Sequence, residues 1–403
     1  MMMKIEQSIE NINSAIEDYV HADDEKYNTG LLSGTMGITL FSYYYAKLKG
    51  KDNRIADEFL DKTLNICVST AQTDTYGGGL AGVGFGIEHL NQHNFIETDT
   101  NLLLTDFDEY LSQSLNIYLS KKDYDFLRGS TGFGIYFLKR AVVNRENKKW
   151  IECIINELKA NLHKGNGKEA KWFTHILNDN GEDYRQVYNI CLSHGMSAIL
   201  FLLAKSYSMK ICKEETSIII QGVVEYILNQ EIDKSKYGSY YPALSKESEE
   251  VKYGSRLAWC YGDLGVASIL YQAGTVMQND SWKDKAIEVL LFAAEKRRHL
   301  EANGIKDACL CHGTAGVAHI FYRTWWNTRL PEFKKAADFW FQETLKMAKF
   351  FDGLAGFKTY HPKEYGGWSN QYDMLEGIAG IGLAMLSYIT ETEPTWDECL
   401  LLS

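Results

Sequence analysis

The sequence predicts an all-α protein built as a double α/α toroid, with seven inner helices ringed by seven outer ones. Three observations predict it. A G-x-x-[GA] unit followed by an apolar residue occurs seven times, beginning at Gly34, Gly79, Gly129, Gly195, Gly262, Gly313 and Gly377, with starts 45, 50, 66, 67, 51 and 64 residues apart. Each unit opens an apolar stretch of helical rather than alternating character, residues 38–46, 266–277 and 381–388 among them. Only four prolines occur in 403 residues, so helices run uninterrupted.

The repeat length suits one helical hairpin plus a variable connection. Helices that are apolar all round belong inside, and amphipathic ones cover them. Residues 281–300 are the clearest covering helix. Ser281 and Asp284 are expected to form a capping box, Trp282, Ala286, Ile287, Leu290 and Leu291 an apolar stripe, and the basic run from Lys296 to His299 the favourable end of the dipole. Glycine at the start of each inner helix lets backbones approach closely and supplies positive φ where the leading loop needs it. Residues 1–403 are read as one toroidal domain with a small insertion around residues 168–191. That segment, like residues 235–255, is rich in Asn, Asp, Gly, Ser and Tyr and reads as loop or short strand. Residues 237–241 read as a peptide platform or a solvated loop.

Hydrophobic residues at 45% and charged residues at 24% are globular values, which excludes a disordered or fibrous chain. Lys and Arg number 42 against 53 Asp and Glu, a net charge of −11 without a basic run, so nucleic acid is not expected as a partner. The N-terminus lacks a signal-peptide apolar region, and the longest apolar run, residues 198–204, is too short to span a bilayer. A soluble cytoplasmic protein is expected, its eight cysteines mostly reduced.

Chemistry gathers just before the glycines. Trp259-Cys260-Tyr261-Gly262 and Cys311-His312-Gly313 place a cysteine two residues ahead of equivalent glycines, and Ser193-His194-Gly195 places a histidine where Tyr261 and His312 stand. If every unit delivers its leading loop to one end of the toroid, two thiols and an imidazole converge there. Two sulfurs and a nitrogen suit Zn2+, and three protein ligands leave a fourth position open, the pattern of a catalytic site. The expected ligands are Cys260, Cys311 and His312. Cys309 lies outside that spacing and is expected to be structural.

His194 should face the same opening. Asp125 is a carboxylate that can fix its tautomer, and Arg256 a guanidinium that can hold that carboxylate or a developing oxyanion. Asp263, Asp373 and Glu376 are expected to be helix caps or loop hydrogen-bonders. A thiolate-rich zinc site is better suited to keeping a bound thiol ionised than to polarising a carbonyl, so thiol alkylation or conjugate addition is the expected chemistry.

These residues together resemble the LanC-type lanthionine cyclases, especially the free-standing cyclases of class I lanthipeptide pathways. The resemblance covers nearly the whole chain and rests on the seven glycine units, Trp259-Cys260-Tyr261-Gly262, Cys311-His312-Gly313 and Ser193-His194-Gly195. It implies zinc on Cys260, Cys311 and His312, and addition of peptide cysteines to dehydroalanine or dehydrobutyrine to form lanthionine or methyllanthionine. It further implies proton transfer by His194 with Asp125, oriented by Arg256 and Tyr261. The partners it implies are a dehydrated precursor peptide with its leader, a separate dehydratase and an export transporter, with peripheral association to a membrane-bound complex. Leu264 stands where the family commonly has proline. Other readings remain open: a LanC-like enzyme that adds glutathione or another free thiol to dehydrated residues, or a non-catalytic peptide-binding toroid. A glycoside hydrolase using Asp125 and Asp263 would leave both thiols unexplained.

Overall fold

In a computed structural model of the chain, which describes residues 1–21, 28–177, 184–248 and 251–403, all seven repeat glycines are helix N-caps. They open the helices Thr35–Lys49, Leu80–Gln92, Ser130–Ala141, Met196–Ser208, Asp263–Val276, Thr314–Thr328 and Ile378–Thr390. Crowding, more than positive φ, selects glycine there. Only Gly262 has positive φ, at 95°; the other six are extended. The chain doubles back so tightly that the first helical N–H bonds a carbonyl seven residues earlier, as in Met196 to Asn189 (2.8 Å) and Thr314 to Asp307 (3.0 Å). A Cβ on Gly195 would lie 2.3 Å from the Asn189 carbonyl oxygen.

Two compact units divide the chain. In the unit of Met1–Thr98 and Arg298–Leu402, the glycine-capped helices pack in the order Thr314–Thr328, Ile378–Thr390, Thr35–Lys49, Leu80–Gln92. Pro331–Met347, Met2–Val20 and Arg54–Ser69 cover the first three of these. Met2–Val20 therefore covers the helix of the last glycine unit, joining the two ends of the chain. It buries Ile5, Ile9, Ile12, Ile16 and Val20, the stripe of an amphipathic helix, whereas every residue from Ala81 to Leu90 is buried in the capped helix Leu80–Gln92.

In the unit of Asp99–Arg297, Ser130–Ala141, Met196–Ser208 and Asp263–Val276 pack side by side, with Lys148–Ala160, Lys213–Asn229 and Asp280–Lys296 as hairpin partners and Thr105–Ser120 against the first. Short antiparallel strands interrupt the helices: His163–Lys164 with Ala170–Lys171, and Phe173–Leu177 with Tyr184–Tyr188. Three of these strands lie between residues 168 and 191, of which residues 178–183 lie outside the described residues, as do residues 249–250 of the second polar segment.

Three local expectations are corrected. The cap of Asp280–Lys296 is Asn279, whose Oδ1 accepts the Trp282 N–H at 3.2 Å; Ser281 only donates to that oxygen. Arg297, expected at the solvated dipole, is buried and pairs with Asp263 at 2.9 Å. Ser239, Tyr240 and Tyr241 are buried and so form neither platform nor solvated loop, whereas Tyr237 is half-buried and Gly238 exposed; Asp263 accepts the backbone N–H groups of Tyr240 and Tyr241.

Candidate active site

The loops before the glycines share a construction that explains where each reactive side chain sits. Six residues before the first glycine, Asn28, Asp123, Asn189 and Asp307 each accept the N–H two residues on, at 2.9–3.2 Å, as Asx turns. Four residues before it, Asp125, Cys191, Cys309 and Asp373 each accept the N–H three residues on. The residue just before the glycine is thereby held by its backbone N–H. Arg128, His194, His312 and Glu376 occupy that position.

Backbone bonds also join one loop to the next. In the Met1–Thr98 and Arg298–Leu402 unit, Cys311 N–H bonds Leu375 O (3.0 Å), Leu375 N–H bonds Leu32 O (2.8 Å) and Leu32 N–H bonds Gly77 O (2.9 Å), each residue standing two before its glycine. In the Asp99–Arg297 unit the Cys260 carbonyl accepts from Leu192 N–H at 3.1 Å and Ser193 N–H at 3.3 Å. The equivalence of Cys260 and Cys311 is thus a hydrogen-bonded backbone position.

Within the Asp99–Arg297 unit, His194 Nδ1 lies 2.6 Å from Asp125 Oδ2. Asp125 Oδ1 is taken by the Arg128 N–H at 2.9 Å. Burial pushes the Asp125 carboxyl up, but the His194 hydrogen bond, with the charges of His194 and Arg128, outweighs it and holds the group below its ordinary value. The Asp125 side chain is 5% exposed against 22% for His194, so the imidazole alone can meet a substrate. The Tyr261 ring is half-buried with its centroid 6.1 Å from that of His194, and burial, reinforced by nearby thiols and Asp125, raises its phenol. Cys260 is almost wholly buried. Arg256 is exposed and makes no ion pair among the described residues, so it is not brought onto Asp125.

Within the other unit, Cys311 and His312 are half-buried, and a ligand atom of each lies within 4.8 Å of the other. Asp307, Cys309 and His312 form a second group of that size. Cys309 helps hold the loop: its sulfur accepts the His312 N–H at 3.5 Å, and burial, then Asp307, drives its thiol well above the ordinary value. Cys191 is its counterpart, accepting the His194 N–H at 3.4 Å, with burial pushing its thiol up to about 12. Asp307 Oδ2 lies 3.9 Å from His312 Nε2 and accepts the Tyr360 N–H at 2.9 Å.

A family model described as "Lanthionine synthetase C-like protein" matches residues 25–401. The chain belongs to the lanthionine synthetase C-like family. Over 99% of this chain and 95% of its own length, the nisin biosynthesis protein NisC of Lactococcus lactis subsp. lactis is 24% identical to it. The solved structure of nisin cyclase is similar over 99% of this chain and 97% of its own, with a TM-score of 0.74 at 21% identity. That likeness carries the fold class, the double α/α toroid expected from the glycine repeats. No helix among the described residues is long and apolar enough to cross a membrane.

Sequence reasoning did not anticipate two features. Of Asp373 and Glu376, both expected to be caps or loop hydrogen-bonders, Asp373 is the loop acceptor, and the Glu376 side chain lies 3.8 Å from His361 with its carboxyl raised, first by burial and then by Asp373. Its place just before Gly377, equivalent to that of His312, was the available signal. The Asx residues six before the glycines were visible only by aligning the units upstream of G-x-x-G.

Proposed function

We propose that this protein is a zinc-dependent lanthipeptide cyclase, which adds peptide cysteine thiols to dehydroalanine or dehydrobutyrine and forms thioether rings. The observation that carries the reading is the Asp125–His194 pair, fixed by backbone bonds between the His194 loop and the Cys260 loop. Family membership and the similarity to NisC support it.

Cys260, Cys311 and His312 would hold the metal; two thiols and an imidazole are a fitting donor set, and the neighbouring Cys309 and Cys191 each accept a loop N–H on sulfur. Zinc bound there would supply a lowered thiol pKa and so an ionised nucleophile. The remaining work falls to the protein. Thiolate attack forms the S–Cβ bond and places a pair of electrons on the enolate of the former dehydro residue, which then needs a proton at Cα. His194 supplies it. Asp125 accepts the Nδ1–H and stabilises the imidazolium, leaving Nε2 to exchange the proton with substrate. Tyr261 flanks the imidazole, and exposed Arg256 is free to swing onto the peptide carbonyl. A dehydrated precursor and its leader are the substrate in this reading, with dehydration and export performed by separate partners.

The test incubates zinc-loaded protein with dehydrated precursor and counts remaining free thiols by alkylation and mass. Wild type should consume thiols without change in peptide mass, and Cys311→Ser should lose both zinc and ring closure. Cys311→Ser protein that keeps its zinc and closes rings normally would refute the reading, as would wild type that joins only glutathione to the precursor.

A further inference from the structure

Away from the leading loops, the unit of Met1–Thr98 and Arg298–Leu402 contains another cluster of metal-binding groups: His89, His93 and Glu398, whose ligand atoms all lie within 4.8 Å of one another. His89 and His93 stand four residues apart at the C-terminal end of Leu80–Gln92, so they share one face of the chain there. His89 is about 15 Å along the axis from that helix's own glycine cap. Glu398 comes from the 3-10 helix Trp396–Leu400, near the far end of the sequence.

From this geometry we infer a second metal site, in which His89 Nδ1, His93 Nε2 and Glu398 Oε1 bind a first-row divalent cation of the zinc class. His89 Nδ1 lies 2.5 Å from Glu398 Oε1, and His93 Nε2 lies 4.0 Å from the same oxygen. An ion held at about 2.0–2.2 Å from each would need the first pair to open by about 1 Å and the second to close by less. The proton between His89 and Glu398 leaves as the metal arrives. Nδ1 then offers its lone pair, and Nε2–H donates to the Tyr44 hydroxyl, now 2.9 Å away, which in turn lies 2.6 Å from Thr395 Oγ1. Such an outer hydrogen bond on the second ring nitrogen is what orients metal-binding histidines.

Two imidazoles and one carboxylate make an open set, with water as the fourth ligand. Access is provided: His93 and Tyr44 line a cavity of about 660 Å³, together with Thr395 and Trp396. The purely structural alternative is a His89–Glu398 hydrogen bond that fastens the C-terminal turn. The metal reading also uses the second imidazole, since His93 lies with its ring centroid 4.4 Å from that of His89 and its Nε2 4.0 Å from the same carboxylate oxygen.

The test uses full-length protein with Cys260→Ser and Cys311→Ser, which removes the thiolate ligands, and cobalt(II) as the probe. Bound cobalt should appear as one equivalent with d–d absorption but no sulfur-to-metal charge-transfer band, and should raise the thermal midpoint. Adding His93→Gln or Glu398→Gln should abolish binding and the midpoint shift, while circular dichroism reports retained folding. The inference is overturned if the double-cysteine variant binds no cobalt, or if binding survives both further substitutions. In wild type, failure of the charge-transfer band would instead count against the thiolate site, leaving the two readings separable.

Discussion

Replacing Asp125 by asparagine tests the proton-transfer assignment most sharply, because both carboxylate oxygens are committed. Oδ1 accepts the Arg128 N–H at 2.9 Å and Oδ2 faces His194 Nδ1 at 2.6 Å. Asparagine can satisfy the Arg128 N–H only with its oxygen, which turns its NH2 toward His194. Nδ1 must then be an acceptor, so the ring carries its proton on Nε2 and the imidazolium faces a donor in place of an anion. The reverse amide orientation would set NH2 against the Arg128 N–H, leaving a buried donor unsatisfied at about 1–3 kcal/mol. Ring closure should fall by roughly a hundred- to ten-thousand-fold, the range for loss of general acid–base work or of the correct histidine tautomer. Loss of the charge-assisted bond should cost only about 1.5–3 kcal/mol of stability, so the variant remains folded. The assay is single-turnover closure of a dehydrated peptide, quenched and alkylated, alongside zinc content and a urea midpoint. A folded, zinc-bound variant closing rings within about threefold of wild type, a barrier change below about 1 kcal/mol, would refute the assignment.

Further outcomes follow from other contacts. The folded Asp125 carboxyl lies below its ordinary 3.8, so its stabilising contribution is present above that pH and is lost as pH falls through the lower folded value; a pH series of urea midpoints should show this acid limb reduced in Asp125→Asn. Asp397 is buried, and although burial raises its carboxyl, the Arg323 charge and the His319 and Arg323 bonds hold it well below the carboxylate range. Asp397→Asn removes the buried carboxylate shared by Arg323 and His319, leaves Arg323 only Glu393 as an anionic partner among the described residues, and should cost up to about 3–5 kcal/mol, measured as a lowered urea midpoint. Gly195→Ala brings a Cβ against the Asn189 carbonyl and should cost about 1–3 kcal/mol, with a larger proportional loss of ring closure than of stability because the His194 loop must shift. Asp263→Asn should lower the urea midpoint by a similar charge-stranding amount, about 3–5 kcal/mol, through Arg297.

Some of this was legible in advance. Helix starts were, because a glycine pressed against the backbone of its own leading loop, in five of the seven units a carbonyl six residues upstream, cannot be exchanged for a bulkier residue without moving the loop, and seven glycines so crowded mark seven helices. The equivalent placement of Cys260 and Cys311 was also legible, since each stands two residues before its glycine. Asn279 as the cap of Asp280–Lys296 was missed because Ser281 offered an equally good pattern. The inward turn of Arg297 was missed because its partner, Asp263, lies 34 residues away and had an ordinary cap reading.

What the amino-acid order determined by itself was local and periodic: which segments are apolar all round, where each helix begins, and which reactive residues precede it. Those properties depend on neighbours within one turn or one repeat. Tertiary structure alone decided which loops are joined by backbone bonds, that Met2–Val20 covers Ile378–Thr390, that Asp263 meets Arg297 across 34 residues, and that His89 meets Glu398 across 309. Such pairings are chosen by packing and by the need to satisfy buried polar groups, and no spacing in a linear sequence encodes them.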